Sequence, residues 1–153
     1  MTNPNDLVDA TVAAIQSIAG VVTALGSAAN VVAYHDEYPT DISFEQAVFN
    51  LGAGKILVAW NGTATGRSSR GETISHSLHL FLRPRGSAAD LFTSLREGVC
   101  TTTGLKFKLS QVHDNCYPPS EMSCQRQLVA VAQDAVIDVF LISLSLIERG
   151  IDN

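Results

Sequence analysis

The sequence predicts an α+β fold, in which a mixed or antiparallel sheet has helices packed on one face. Helical and strand periodicities both occur along the 153 residues, and hydrophobic residues make up 46%, enough for one substantial core. Successive predicted strands are joined by hairpins at least as often as by helices, which favours α+β over a parallel α/β sheet. Because no repeat or linker divides the chain, residues 1–153 are predicted to form a single domain.

The first part of the chain alternates helices with strands. Asn3 is a suitable N-cap and Pro4 fits the first helical position, so a helix is predicted to begin there. The predicted elements are a helix from Pro4 to Gly20 or Gly26, a strand over 30–38, a helix over 43–51 that starts with a capping-box spacing, and a buried strand over 55–60 that enters a turn at Asn61-Gly62.

A polar segment over 62–75 follows and contains no apolar periodicity. It is too polar to bury and long for a simple hairpin connection, so we expect a projecting loop or a long exposed hairpin tip. From Ile74 to Leu82 apolar and polar residues alternate, which predicts a strand that ends before Pro84.

The second half of the chain is predicted to be mostly strand. Its predicted elements are a helix from Ser87 to Cys100, an amphipathic strand over 106–112, a proline-containing loop over 115–120, and two strands over 126–133 and 136–148. The last two strands are close in sequence, which predicts a hairpin around Gln133-Asp134.

The charge of the chain argues against a nucleic-acid binder. Ten Lys and Arg against fifteen Asp and Glu give a net charge of −5, whereas proteins that neutralise phosphates are basic. Only 16% of residues are charged, and only Lys55, Lys106 and Lys108 are lysines. Lysine is depleted in protein interfaces, so this composition favours a surface that partners cover.

The sequence also argues against a membrane or secreted protein. The most apolar stretch, 128–147, contains Gln133, Asp134 and Asp138, which are costly in a bilayer core. Asp6 and Asp9 lie where a secretion signal carries positive charge. We therefore predict a protein made and kept in a cytoplasm.

The three cysteines predict no disulfide and no metal site. Cys100, Cys116 and Cys124 are an odd number without a C-x-x-C pair, so free thiols are expected. His113 and Cys116 offer two zinc ligands, but the others would have to come from isolated residues elsewhere. We expect no metal and no cofactor.

No catalytic motif is present, so no catalytic residue is predicted. Gly52-Ala-Gly54-Lys55 is weakly similar to a phosphate loop but precedes a strand, which favours a plain turn. His76 and His79 lie on opposite faces of their strand, one buried and one in solvent. His35-Asp36-Glu37 could support acid–base chemistry in a cleft, but solvated residues or subunit contacts are the favoured interpretation.

The predicted interface residues lie in the polar segment. Arg67, Arg70 and Glu72 are its only charged residues. Arginine forks pair with carboxylates, which an acidic protein offers in number. We therefore predict that these three residues contact a neighbouring subunit or another assembly partner, and that the segment is mobile in the free subunit and ordered in an assembly.

The order of elements resembles that of tail terminator and related tail-completion, or head–tail joining, proteins of long-tailed bacteriophages. The resemblance covers nearly the whole chain and rests on its layout. It is carried by the amphipathic N-terminal helix, the strand ending in Tyr38-Pro39, the strand Lys55-Ile-Leu-Val-Ala-Trp60, the polar excursion, the strand His76-Ser-Leu-His-Leu-Phe-Leu82, the helix over 87–100, the proline-containing loop and the closing strand over 139–148.

The resemblance implies a structural virion protein without catalytic residues. Such a protein forms a ring, usually a hexamer, on the end of the tail tube, stops tube growth and joins the tail to the head connector. Its partners would be copies of itself, the tail tube protein and the connector proteins. DNA would only pass through the channel, without sequence-specific binding. The protein would be made in the host bacterial cytoplasm and reside in the virion.

Two other classes of function remain open at the level of the sequence. One is a small α+β enzyme or ligand-binding domain that uses the His35-Asp36-Glu37 region or the loop over 113–116. The other is a cytoplasmic adaptor that forms a simple dimer. A concave pocket with a perturbed titratable group favours the first, and a ring with a wide channel favours the structural protein.

Overall fold

A computed structural model describes residues 3–35, 47, 50–68, 71–83, 88–96, 122–132 and 135–149. Within these ranges the chain forms three complete α-helices, one 3₁₀ helix (Ala28–Asn30) and five strands. The helices are α1 (Pro4–Gln16), α2 (Ala19–Leu25) and α3 (Ala88–Arg96), and the strands are β1 (Val31–Tyr34), β2 (Lys55–Ser68), β3 (Gly71–Arg83), β4 (Met122–Ala132) and β5 (Ala135–Arg149).

The N-terminal helical region consists of two helices where one was predicted. Asn3 caps α1, since its side-chain oxygen accepts a hydrogen bond from the N–H of Asn5 at 2.8 Å, and Pro4 begins the helix as predicted. The helix ends at Ser17, whose hydroxyl donates to the Ala14 carbonyl at 2.6 Å, and Ile18 is extended. The chain turns by 86° into α2, so the expected single helix is wrong.

Gly26 ends α2, one of the two endings that the sequence predicted. Its φ of 86° lies in the left-handed region, where a side chain is strained, and its N–H donates to the Val22 carbonyl. The side-chain amide of Asn30 donates to the Leu25 carbonyl at 2.7 Å and satisfies another carbonyl at this helix end.

The five strands form one mixed sheet in the order β1-β2-β3-β5-β4. β1 runs parallel to β2, and all other neighbours are antiparallel. Parallel neighbours need a crossover between them. Of the described residues of the helix predicted at 43–51, Ala47 and Asn50 are helical and Leu51 is in a turn, and all three lie in that connection.

The helices pack on one face of the sheet, around one apolar core. Ile56, Val58, Leu78, Leu80 and Leu82 occupy alternate positions of β2 and β3 and are fully buried. They contact buried residues of all three helices: Leu7, Val8, Ile15, Val21, Leu25 and Leu91. The α+β fold with helices on one face of a mixed sheet is therefore confirmed.

The strands are staggered, so the sheet has all five strands only in its central part. One row across the sheet contains Val31, Ile56, Leu82, Phe140 and Arg126. Beyond Ala59, β2 has no partner in β1, and the β2–β3 hairpin continues in one direction. The β4–β5 hairpin extends past the end of β3 in the opposite direction.

The described residues of the polar segment, 62–68 and 71–75, lie in β2 and β3 and pair as far as Ser68 and Gly71, so the segment forms a long hairpin, one of the two predicted alternatives. The turn predicted at Asn61-Gly62 is instead a bulge within β2. The sequence did not show that β2 continues past Asn61, because backbone pairing with β3 holds this part of the strand. β3 in turn pairs with β5 as far as Thr73 and Arg149.

The remaining predicted elements are partly described. The strands predicted at 74–82, 126–133 and 136–148 are present and slightly longer, and the helix predicted from Ser87 is found as α3. The strand predicted at 30–38 is found over Val31–Tyr34, and its residues after 35 lie outside the described ranges. The strand predicted at 106–112 and the loop predicted at 115–120 also lie outside them.

Among the described helices, none alone has the length and apolar composition to cross a membrane. α1 and α2 together satisfy both criteria but meet at an angle of 86°.

Candidate subunit interface

The distal hairpin, defined as residues 61–68 of β2 and 71–77 of β3, begins at a bulge. The last pair between β1 and β2 joins Tyr34 and Ala59. The register of β2 against β3 shifts between Trp60 and Gly62, so Asn61 is the extra residue. Gly62 has a φ of 135°, which strongly favours glycine. The chain therefore builds a defined boundary between the core of the sheet and the distal hairpin.

Trp60 lies at this boundary and carries an unsatisfied polar group. It is the single tryptophan of the chain, is half-buried and packs against the apolar core. Its indole Nε1 is buried and has no hydrogen-bond partner among the described residues. Such a group is rare in a folded protein and costs about 1–3 kcal/mol.

Sequence reasoning missed Trp60, because it treated the residue only as the end of a strand. The available signal was a lone tryptophan directly before Asn-Gly, since tryptophan is enriched where proteins contact each other. The sequence does not show whether the indole N–H has an acceptor, because that depends on how distant segments pack.

The distal hairpin is polar, and its described residues range from exposed at Ala64 and Gly66 to fully buried at His76. Asn61, Ala64 and Gly66 are exposed, and Ile74 is half-buried. The register continues without interruption from Gly62 opposite Ser77 to Ser68 opposite Gly71. The backbone is thus ordered by hydrogen bonding along the ladder, with little contribution from apolar burial.

Two of the three predicted interface residues, Arg67 and Glu72, lie in the described part of this hairpin. Arg67 in β2 is paired directly with Glu72 in β3. Arg70 lies outside the described residues. The sequence did not anticipate that an arginine and the only carboxylate of the segment would occupy paired positions, because the register is set by the bulge at Asn61.

His35 ties the end of β1 to α1. Its Nε2 lies 2.7 Å from Oδ1 of Asp9, and the two side chains are 30% and 58% exposed. Asp36 and Glu37 lie outside the described residues, so His35 is the one member of the predicted acid–base group that the structure describes. The contact that it does show connects two structural elements across the surface.

His76 and His79 lie on opposite faces of β3, as predicted. His76 is fully buried on the helix-covered face, next to Leu78 in the alternation. His79 is half-buried on the other face, and its ring meets the ring of Phe81 edge-on, with centroids 6.0 Å apart. Burial lowers the pKa of His79 below its ordinary value of 6.5, so its neutral form predominates at pH 7.

Gly52 and Gly54 form a turn, as predicted. Both have positive φ, and the N–H of Gly54 donates to the carbonyl of Arg83 at the end of β3. β2 begins at the next residue, so these amides do not open a helix where a phosphate could bind.

Within the described ranges, no cluster of three or more histidines, cysteines or acidic residues is placed to hold a metal ion. His113, Cys116 and Cys100 lie outside these ranges, and Cys124 lies in β4.

Comparisons of the chain with protein families, curated proteins and solved structures find no match.

Proposed function

We propose that this protein is a structural subunit of a long-tailed bacteriophage, which forms a ring at the end of the tail tube, terminates tube growth and joins the tail to the head connector. The ring is a hexamer of this chain. It acts without catalysis, metal or cofactor, and DNA passes through its channel without sequence-specific contacts. The protein is made in the bacterial cytoplasm and is incorporated into the virion.

The observation that carries the proposal is the distal hairpin. It continues β2 and β3 beyond β1 and presents exposed, small or polar residues at Asn61, Ala64 and Gly66. An extension of this kind contributes little to the apolar core of its own subunit. It offers a contact surface to a neighbour instead, as expected for an assembly protein.

Arg67, Arg70 and Glu72 supply the charged contacts at the tip of the distal hairpin. Arginine forks on one subunit pair with carboxylates on the next subunit or on the tube, since the chain has an excess of acidic residues. The register also places Glu72 opposite Arg67 in the same hairpin, and cross-strand pairs of opposite charge contribute roughly 0.2–1 kcal/mol. The experiment must therefore separate contacts within the hairpin from contacts between subunits.

The particle mass is the first test. The purified protein is measured by light scattering over a concentration series and imaged by electron microscopy. We expect a particle of about six times the chain mass of 16.3 kDa, with a central channel. A strict monomer that also fails to bind tail tubes contradicts the proposal, and a simple dimer points to the adaptor function.

The second test changes the hairpin charges. The double variant Arg67→Ser, Arg70→Ser should keep nearly the parental melting temperature and lose ring or tube assembly, and its deficit relative to the parent should shrink as salt is raised, because salt screens the parental contacts. The matched control is Glu72→Gln, which removes the carboxylate paired with Arg67 and leaves both arginines in place. Assembly of the double variant equal to that of the parent would show that the arginines have another purpose.

A further inference from the structure

Asn61 and Gly62 form the only Asn-Gly pair in the chain. Asparagine is a thermolabile residue, because the main-chain nitrogen of the next residue can attack its side-chain amide carbon. A glycine at the next position favours this attack, since it has no side chain to obstruct the close approach and its backbone adopts a wide range of conformations. The pair therefore joins a reactive amide to the least hindered neighbouring residue.

The structure places this pair at the bulge of β2, where Asn61 is exposed to solvent. The register of β2 against β3 shifts between Trp60 and Gly62, and the extra residue of a bulge has no partner on the opposite strand. Among the described residues, no heavy atom lies within 4 Å of the position that a Cβ on Gly62 would occupy. The Asn61 amide is thus open to water, and the neighbouring backbone has room to rearrange.

Two other described asparagines lack these features. The side-chain amide of Asn30 donates to the Leu25 carbonyl at 2.7 Å, which holds it in place, and the next residue is the β-branched Val31. Asn3 is followed by Pro4, which has no main-chain N–H and therefore cannot make the attack. The fold and the sequence together single out Asn61 from these two residues.

We propose that Asn61 is a site of spontaneous deamidation, in which the main-chain nitrogen of Gly62 attacks Cγ of Asn61. The N–Cγ bond forms, the Cγ–Nδ2 bond breaks, and Nδ2 leaves as ammonia with the proton of the Gly62 N–H. Water then opens the resulting five-membered succinimide. Opening at Cγ gives aspartate, and opening at the main-chain carbonyl carbon gives isoaspartate. Water is the only co-reactant.

The products change the residue that sets the register of the distal hairpin. Isoaspartate lengthens the main chain by one carbon, directly before the ladder that starts with Gly62 opposite Ser77. Both products also add a negative charge to a chain whose net charge is already −5. Because main-chain pairing holds the distal hairpin, the isoaspartate form loses part of that pairing. Subunits that stay unassembled then lose the ability to form rings; this consequence rests on the proposed function, whereas the modification itself does not.

Peptide mass mapping tests the modification on the folded, full-length chain. The protein is incubated in neutral buffer at physiological temperature, and the tryptic peptide between Lys55 and Arg67 is followed by mass spectrometry. A sample that is digested without incubation gives the background. We expect the mass shift of amide to acid at Asn61, in two products that separate by chromatography, and no shift at Asn30. The matched control Asn61→Gln should show no shift, because its longer side chain does not form the five-membered ring.

The modified chains are then separated from the unmodified chains by anion exchange, and the isoaspartate form is isolated. Hydrogen exchange should show lost protection over residues 62–68 of the isoaspartate form and parental protection over residues 56–59. Light scattering should show fewer rings from this form than from unmodified chains at the same concentration. Freshly purified Asn61→Asp separates the two changes, since it carries the added charge on a main chain of normal length.

Several outcomes overturn the inference. If a synthetic peptide of residues 56–67 deamidates while the folded chain does not, the sheet blocks the attack and the proposal is wrong. Equal conversion at Asn61 and Asn30 would show that the bulge selects nothing. If isoaspartate chains form rings as readily as unmodified chains, the effect on assembly is wrong while the ring function stands. If the unmodified parent stays monomeric at all concentrations and on tail tubes, the ring function fails, and the mass shift alone decides the modification.

Discussion

The two halves of the β2–β3 hairpin are stabilised in different ways. In the proximal half, Ile56, Val58, Leu80 and Leu82 are fully buried beneath three helices. In the distal hairpin, Asn61, Ala64 and Gly66 are exposed, and the backbone ladder holds the strands together. The same two strands thus pass from a region where apolar burial dominates the free energy of folding to one where main-chain pairing does. The comparison teaches that one pair of strands can be stabilised by apolar burial at one end and by main-chain pairing at the other.

The largest expected effect follows from removing core volume in the proximal half. Leu80→Ala should lower the free energy of unfolding by about 2–5 kcal/mol, because Leu80 is fully buried in the apolar cluster. Ala64→Ser in the distal hairpin is the control and should stay within about 0.5 kcal/mol of the parent. Urea denaturation measures both. Equal losses at the two positions would show that the halves form one packing unit.

The boundary between the halves is tested at Gly62. Gly62→Ala should cost about 1–3 kcal/mol, because alanine is strained at a φ of 135°. Gly20→Ala in α2 is the matched control. A Cβ at Gly20 would lie 3.5 Å from Oγ of Ser94, an ordinary contact, so the helix should gain roughly 0.5–1 kcal/mol. In thermal denaturation, we expect Gly62→Ala to lower the melting temperature and Gly20→Ala to raise it. An unchanged melting temperature for Gly62→Ala would show that the bulge can be lost.

Trp60→Phe separates stability of the subunit from stability of the assembly. The change removes a buried N–H without a described acceptor, which should offset the loss of ring surface and keep the free energy of unfolding within about 1 kcal/mol of the parent. Because this N–H is already buried within one subunit, the ring should dissociate at the same protein concentration as that of the parent. Light scattering on dilution measures this. A large loss of subunit stability would instead place the acceptor within the chain.

The smallest expected effect concerns pH and His79 in the proximal half. Its pKa is lowered in the folded state by burial, so protonation favours the unfolded chain. The stability contribution is complete above the unfolded value of 6.5 and is lost as pH falls through the lower folded pKa. His79→Asn should therefore show a shallower loss of stability with acidification than the parent. Identical slopes in denaturation series at several pH values would refute this role of His79.

The sequence by itself determined those features that depend on local periodicity. Alternation over 74–82 predicted β3 and placed His76 and His79 on opposite faces, and the spacing of the last two strands predicted the β4–β5 hairpin. Asn3 and Pro4 located the start of α1. These predictions succeed because each depends on the spacing of residues that are close to one another in the sequence, which a local pattern records.

Only the tertiary structure decided the features that depend on distant partners. The polar residues 62–68 become a strand because β3 offers them a continuous ladder, which no local pattern of polarity records. The break at Ser17 and Ile18, where the Ser17 hydroxyl donates to the Ala14 carbonyl and Ile18 is extended, is not visible in the apolar spacing, because Ile15 and Ile18 would share one face of a straight helix. Main-chain hydrogen bonds between remote segments also set the pairing of the strands. They place β1 parallel to β2 and Arg67 opposite Glu72. The packing around Trp60, which leaves its indole N–H without a partner among the described residues, is likewise not visible in the sequence.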